Sequence, residues 1–421
     1  MKTRLLVVSS AYEPFVIGGA EQSARTFCLR LQQEGYEIAI LTTSPSKNDE
    51  VWGEVNEDGM KVYRVMMPRP YTLFDRSDVS PLDKARYHLA DHFAPFNPAL
   101  ANRVIADFKP DLVNIHAIQG LGHNSVKAYA KAGLPVVYTL HDQGLACINM
   151  SRFRDGKLCE GQCTACRFSS KVKTKAWNRT KRLSFISPSR ANLETVAQFV
   201  PEVAERPAFA IGNPNSYPVH APGARSEGTT NLLFVGRLHS SKGVDIAIEA
   251  LLPLATAHRF KLRLLGTGPD EAELKQRYDS LDWVSFDGFV SMEEVGEAMG
   301  WADVLLVPST WQENFPGVIQ HAQQSGLPVM ASRIGGLPEM VDDRQDGLLV
   351  APGDVAAWKG AFENVLSDAG LLEHLAKTAR ERASLQSPQA LSEKIEEVLA
   401  LTIDPDRPAT KLGAQDRVFP R

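Results

Sequence analysis

Short apolar, β-branched runs alternate with segments of helical period through most of this chain, and they do so in two separate series. Neighbouring parallel strands cannot be joined by tight hairpins, so strand–helix–strand repetition specifies crossovers and a parallel sheet covered on both faces. The first series places strands at Leu5–Ser9, Glu37–Thr42, Val62–Met66, Leu112–His116, Val136–His141 and Leu183–Ser187, with helical patterns such as Glu21–Gln33 and Ser125–Ala132 between them. The second starts near Asn231, with strands at Leu232–Val235, Lys261–Leu265, Val284–Phe286, Val304–Val307, Pro328–Ala331 and Leu348–Val350. Between the series, Ile211–Pro218 and a Pro/Gly/Ser-rich stretch running to Gly228 read as a hinge. A chain of 421 residues also exceeds what one core usually supports. The expected fold is therefore α/β, with two Rossmann-like, doubly wound parallel-sheet domains, residues 1–210 and 211–386, facing each other across a cleft. Residues 387–403 read as a helix packing back on the first domain, and residues 404–421, poor in apolar groups, as a flexible tail.

Hydrophobic content of 43% and charged content of 23% are those of an ordinary globular protein. The net charge of −4 exerts no global pull on polyanions, so nucleic acid is not an expected partner. No stretch approaches the roughly 18 apolar residues that span a bilayer, and Leu5–Val8 is too short for a signal-peptide core. A cytoplasmic location, with the five cysteines reduced, is the expectation.

In open α/β sheets ligands sit at the carboxyl ends of the strands, so the residues found there carry the functional reading. In the second series, Leu232–Val235 runs into Gly236-Arg237-Leu238 and then Ser241-Lys242-Gly243 at a helix start. Two cations beside free amides suit a pyrophosphate; the plainer alternative is a pair of solvated charges. After Val304–Val307 comes Glu313-Asn314-Phe315-Pro316-Gly317-Val318. Pro316 fits a first helical position, which turns the amides of Gly317 and Val318 toward the ligand. Glu313 is placed to accept from sugar hydroxyls, or simply to offset the helix dipole. Gly266-Thr267-Gly268 and Gly335-Gly336 are further turns at the same sheet edge. In the first series, Gly18-Gly19-Ala20-Glu21 opens a helix and leaves room for a phosphate at Gly19. His141 and, less strongly, His116 end strands and either face the ligand or staple loops.

Taken in order, these motifs resemble the retaining glycosyltransferases of family 4, which have the GT-B fold. The matching pieces are Gly18–Glu21, His141-Asp142, Gly236–Leu238 with Ser241–Gly243, Gly266–Gly268, Asp287–Val290, Glu313–Pro316 and Gly335–Glu339. The resemblance implies a nucleotide-sugar donor and a glycan or lipid-linked hydroxyl acceptor. It assigns catalytic roles to Arg237, Lys242, Glu313 and His141, and donor contacts to Gly18, Gly19, Gly266, Val290, Phe315, Pro316, Gly317, Val318 and His321. Glu21 and His116 fall on the acceptor side. Where the family's E-x7-E signature has its second glutamate, a ribose ligand, this chain has His321, which touches either the ribose or only its neighbours. No cofactor is required for catalysis if Arg237, Lys242 and helix N-termini stabilise the leaving diphosphate. The expected enzyme is a metal-independent hexosyltransferase acting in bacterial-type polysaccharide, glycolipid or glycoconjugate synthesis. The rivals are a non-catalytic sugar-nucleotide-binding module and a 2-epimerase of the same fold.

Two features lie outside that resemblance. Cys147, Cys159, Cys163 and Cys166 are spaced for a structural zinc, although buried free cysteines are common. Arg167–Arg182 carries seven cations, no acid and Trp177, which reads either as a solvated helix face or as attraction to an anionic membrane surface.

Overall fold

The computed structural model describes residues 2–75, 79–154, 157–220, 228–385 and 387–419. The chain divides into two units, one of residues 1–152, 160–215 and 388–421, the other of residues 153–159 and 216–387. Part of the expected hinge, residues 221–227, lies outside the described residues.

In chain order, the strands of the first unit begin with β1 Arg4–Val8, β2 Glu37–Thr43, β3 Val51–Val55, β4 Lys61–Val65, β5 Leu112–Ile115 and β6 Val136–Thr139. The antiparallel pair β7 Phe153–Arg154 and β8 Lys157–Leu158, which belongs to the second unit, precedes β9 Leu183–Ser187 and β10 Ala208–Ala210 of the first. The second unit contributes β11 Thr230–Val235, β12 Phe260–Leu265, β13 Val284–Gly288, β14 Val304–Val307, β15 Val329–Ser332 and β16 Gly347–Val350, and β17 Arg417–Phe419 ends the chain.

The first sheet has nine strands in the order β17-β10-β9-β6-β5-β1-β2-β4-β3, with only the edge pairs β3–β4 and β10–β17 antiparallel. The second has six, all parallel, in the order β13-β12-β11-β14-β15-β16. Both sheets are buried on two faces, and the side chains alternate between them. Leu5 and Val7 enter one core with Phe27 and Leu31, while Leu6 and Val8 enter the other with Val104 and Phe108. In the second unit Leu232 and Phe234 pack with Trp358 and Phe362, and Leu233 packs on the opposite side with Ile319 and Met340. Both sheets are wound in two directions from a first strand, reversing between β1 and β5 and between β11 and β14. Loops leaving the carboxyl ends of those strands diverge and open a crevice.

The helix Pro388–Ile403 belongs to the first unit, where Ile395, Val398 and Leu399 join the core beneath Phe27. The segment beyond it corrects the expectation of a flexible tail. Glu397 accepts hydrogen bonds from the amides of Thr410, Lys411 (2.7 Å) and Leu412 (2.6 Å). Asp416 accepts from Gly413 (2.7 Å) and pairs with Lys394 (2.8 Å), and Arg417–Phe419 then adds antiparallel to β10. The tail is held through its backbone, so its low apolar content did not reveal it.

Replacing Glu397 with Ala removes a charged acceptor from three amides, an effect of about 2 kcal/mol on this segment. Deuterium exchange of residues 410–419 should accelerate about tenfold or more in Glu397→Ala, with exchange in β1 and β11 unchanged.

Candidate functional site

At the reversal point of the second sheet, the loops leaving β11 and β14 are tied to each other. Thr310 donates its amide to Ser241 O (2.9 Å), and Lys242 Nζ meets Glu313 Oε1 at 2.6 Å. Glu313 also accepts from Ser309 Oγ (2.7 Å), and the Lys242 ammonium lies 5.1 Å from the Trp311 ring centroid. Glu313 is 6% exposed. Burial pushes its carboxyl up, but the Lys242 charge, with the bonds from Lys242 and Ser309, outweighs burial and holds it below the usual range. Arg237, on the loop after β11, is exposed and makes no ion pair with a described residue.

Two glycines let further loops close in, one on Glu313 and one on the turn after β11. Gly335 sits at φ +58°, and a Cβ there would lie 2.3 Å from Glu313 O, while Gly336 donates its amide to that carbonyl (2.8 Å). Gly266, at φ +127°, would bring a Cβ within 2.0 Å of Gly236 O. Only glycine allows either approach. The helix after Glu313 starts at Gly317, with Pro316 as the residue before it (φ −66°, ψ 121°) rather than its first member. The amides of Gly317 and Val318 still open the helix. Phe315 is half-buried against the core, and Val290, just past β13, is half-buried beside the exposed Phe289.

Of the two readings of His321, the ribose or only its neighbours, the structure shows contacts with its neighbours. The residue is 1% exposed, its Nε2 donates to Pro218 O (2.7 Å), and its ring stacks on Tyr217 with centroids 4.8 Å apart. Burial pushes its pKa down, more than the bond to Pro218 raises it, so the imidazole is neutral near pH 7. Ser309 and Trp311 escaped the sequence reading, although both precede Glu313 by a few residues.

In the first unit, the reversal between β1 and β5 opens onto a pocket lined by Glu21, His116, His141, Asp142, His123 and Lys173. His116 Nδ1 and His141 Nε2 are 2.9 Å apart with their rings stacked, and burial pushes both imidazoles below their usual range. The pair is thus neutral, one ring donating and the other accepting. His116 Nε2 and His123 Nδ1 are buried without a hydrogen-bond partner among the described residues. Glu21 Oε2 accepts from the Gly18 amide (2.9 Å), so that amide serves the protein's own helix. The space over Gly19 is open.

Lys173 corrects the expected continuous basic surface. It points inward, donates to Gly144 O (2.5 Å) and is pushed down to about 8 by burial. Trp177 is likewise buried, stacked on Tyr138 at 4.5 Å. Arg182 holds Ile403 O (2.9 Å) and Gly133 O (3.0 Å). His123 went unnoticed in the sequence because it is isolated there, and Lys173 was read only as one of the seven cations of Arg167–Arg182.

Of the cysteines, Cys147 and Cys166 bring their sulfurs to 4.0 Å, while Cys163 is exposed at a helix start. Among the described residues no three His, Cys, Asp or Glu side chains are grouped to hold a metal ion. Nor is any helix among them long and apolar enough to cross a membrane.

Residues 17–200 match the family model described as Glycosyltransferase Family 4, and residues 229–368 match the one described as Glycosyl transferases group 1. The chain is 28% identical over 392 residues to a glycogen synthase of Mycobacterium tuberculosis, covering 90% of each protein. It is 27% identical to that organism's GDP-mannose-dependent alpha-mannosyltransferase, over 87% of this chain and 86% of the other. Among solved structures it resembles a sucrose-phosphate synthase from Thermosynechococcus elongatus (TM-score 0.74, 19% identity, 96% and 100% coverage). It also resembles the Anabaena HepE protein in complex with UDP (TM-score 0.68, 19% identity, 95% and 100% coverage).

The Lys242–Glu313 pair yields a test of stability against pH. With the ammonium present, the folded carboxyl titrates below its unfolded value. The pair therefore stabilises above pH ~4.3 and is lost as pH falls through the folded value. In Lys242→Met burial is opposed only by the bonds from Ser309 and Trp311, and the carboxyl's pKa rises. The variant should be about 2 kcal/mol less stable than the parent at pH 7, and that deficit should shrink as pH is lowered toward ~4.3. Urea unfolding of both proteins at pH 7 and pH 5 measures the difference.

Proposed function

The chain belongs to glycosyltransferase family 4, with the GT-B fold, and on that footing we propose that it is a retaining enzyme that moves a hexosyl group from a nucleoside-diphosphate sugar to a hydroxyl acceptor. The observation that carries this reading is the Lys242–Glu313 pair at the reversal point of the second sheet, with Arg237 on the adjoining loop and helix amides opening beside it. In this reading the diphosphate competes with Glu313 for the Lys242 ammonium and takes Arg237 as its second cation. Glu313, released from Lys242, accepts from donor-sugar hydroxyls.

Transfer breaks the bond between the anomeric carbon and the diphosphate oxygen, and the electron pair stays with that oxygen. The acceptor oxygen bonds to the anomeric carbon from the face the leaving group departs, and its proton passes to the leaving diphosphate. Arg237, Lys242 and the amides of Gly317 and Val318 stabilise the charge that grows on the diphosphate, with no metal ion in that role. The acceptor is assigned to the pocket of the first unit. There the neutral His116–His141 pair and the unpartnered nitrogens of His116 and His123 suit hydroxyl groups better than a charged ligand. Relatives that make glycogen or transfer mannose from GDP-mannose fit a role in polysaccharide or glycoconjugate synthesis.

Release of nucleoside diphosphate from UDP-, GDP- and ADP-sugars in the presence of hydroxyl acceptors tests the activity, and NMR of the product's anomeric proton tests retention. Arg237→Ala should lower turnover by roughly 10²–10³-fold while the melting temperature is kept, because its side chain is exposed. Near-normal turnover in that variant removes Arg237 from the leaving-group site. Absence of release with every donor, together with tight donor binding by calorimetry, favours a binding module.

A further inference from the structure

Large apolar side chains scattered singly over a surface need no explanation, but a cluster rimmed by charge of one sign does. Of the twelve large apolar side chains exposed among the described residues, five lie on the helices Pro81–Phe93, Phe96–Phe108 and Thr164–Trp177 of the first unit. Leu82, Leu89 and Phe93 are 59%, 56% and 49% exposed on the helix Pro81–Phe93. Their spacing of seven and four residues puts them in a single stripe, opposite the buried Tyr87, Asp91 and His92. Phe96 opens the following helix. Phe168, on the helix Thr164–Trp177, sits with its ring centroid 6.4 Å from that of Phe93.

Helix Thr164–Trp177 has two unlike faces. Cys166, Ser169, Ser170, Lys173, Thr174 and Trp177 are buried, which leaves Arg167, Lys171 and Lys175 exposed around Phe168. None of these three cations makes an ion pair with a described residue, and no acidic residue occurs from Thr164 to Arg182. Folding has sorted the basic segment, turning Lys173 and Trp177 inward and leaving Arg167, Lys171 and Lys175 on the face that carries Phe168.

We propose that this face docks on an anionic membrane surface. Leu82, Leu89, Phe93, Phe96 and Phe168 enter the boundary between headgroups and acyl chains, and Arg167, Lys171 and Lys175 meet lipid phosphates. Charge complementarity selects lipid over a second copy of the chain, since a twofold pairing of this face would set its cations against each other. Neither apolar insertion nor cationic attraction alone holds a peripheral protein firmly, and this face supplies both. The docking does not depend on the transferase reading.

The test is flotation of the full chain with vesicles of phosphatidylcholine alone and of phosphatidylcholine with phosphatidylglycerol, at low and high salt. Most of the protein should float with the anionic vesicles at low salt, little with the neutral ones, and less as salt rises. The triple variant Leu89→Ser/Phe93→Ser/Phe168→Ser and the double variant Lys171→Glu/Lys175→Glu should each lose flotation about tenfold or more. Their melting temperatures should match the parent's, since all five side chains are exposed. No flotation with anionic vesicles, or unchanged flotation of the triple variant, overturns the proposal. So does a dimer in sedimentation analysis that the triple variant abolishes, which assigns the face to a second copy.

Discussion

Parallel strands joined by crossover helices leave one place where their loops cannot cover each other, the point at which the winding reverses, and both units of this chain gather their polar chemistry there. In the second unit that point lies between β11 and β14, and in the first between β1 and β5. Elsewhere the two faces of each sheet are mostly close-packed apolar side chains, where unpaired charge is costly. The reversal point supplies partial solvent access, diverging loops and helix N-termini together, so a Lys–Glu pair or a stacked pair of imidazoles persists there.

The Lys242–Glu313 pair shows how much backbone geometry stands behind one side-chain contact. A carboxylate 6% exposed is tolerable only with a cation and a hydroxyl beside it, and both come from loops that must approach within van der Waals distance. Gly243, where a Cβ would lie 2.1 Å from Pro308 O, and Gly335 make that approach sterically open, and the amide of Gly336 fixes the Glu313 backbone from the other side. The site is thus a property of several loops closing on one another.

The helix Thr164–Trp177 couples interior and surface in a different way. Its inward face carries Lys173 to the carbonyl of Gly144 at the wall of the polar pocket, while its outward face carries Phe168 and three cations to solvent. The buried side of this helix is mostly polar, and Trp177 at its end joins the apolar core. The helix closes the pocket and presents a surface at once.

The sequence by itself determined the two-unit parallel architecture, because a period of two alternating with a period of 3.6 permits few other arrangements, and the expected strands lie within a residue or two of β1, β2, β4, β5, β6, β9 and β11–β16. It also placed Arg237, Lys242, Glu313, His116 and His141 at strand ends, since glycine turns mark where strands give way to helices. It did not reveal β17, because that strand is held by backbone pairing with β10 and the segment before it by amides bonding to the Glu397 carboxylate, and backbone bonds leave no trace in composition. Only the tertiary structure decided which way individual side chains face. Periodicity assigns a residue to one side of a helix but not to what lies there. Lys173 and Trp177 went inward, Phe168 went outward, and His321 went to Tyr217 and Pro218, more than a hundred residues away in sequence, a contact no local pattern encodes.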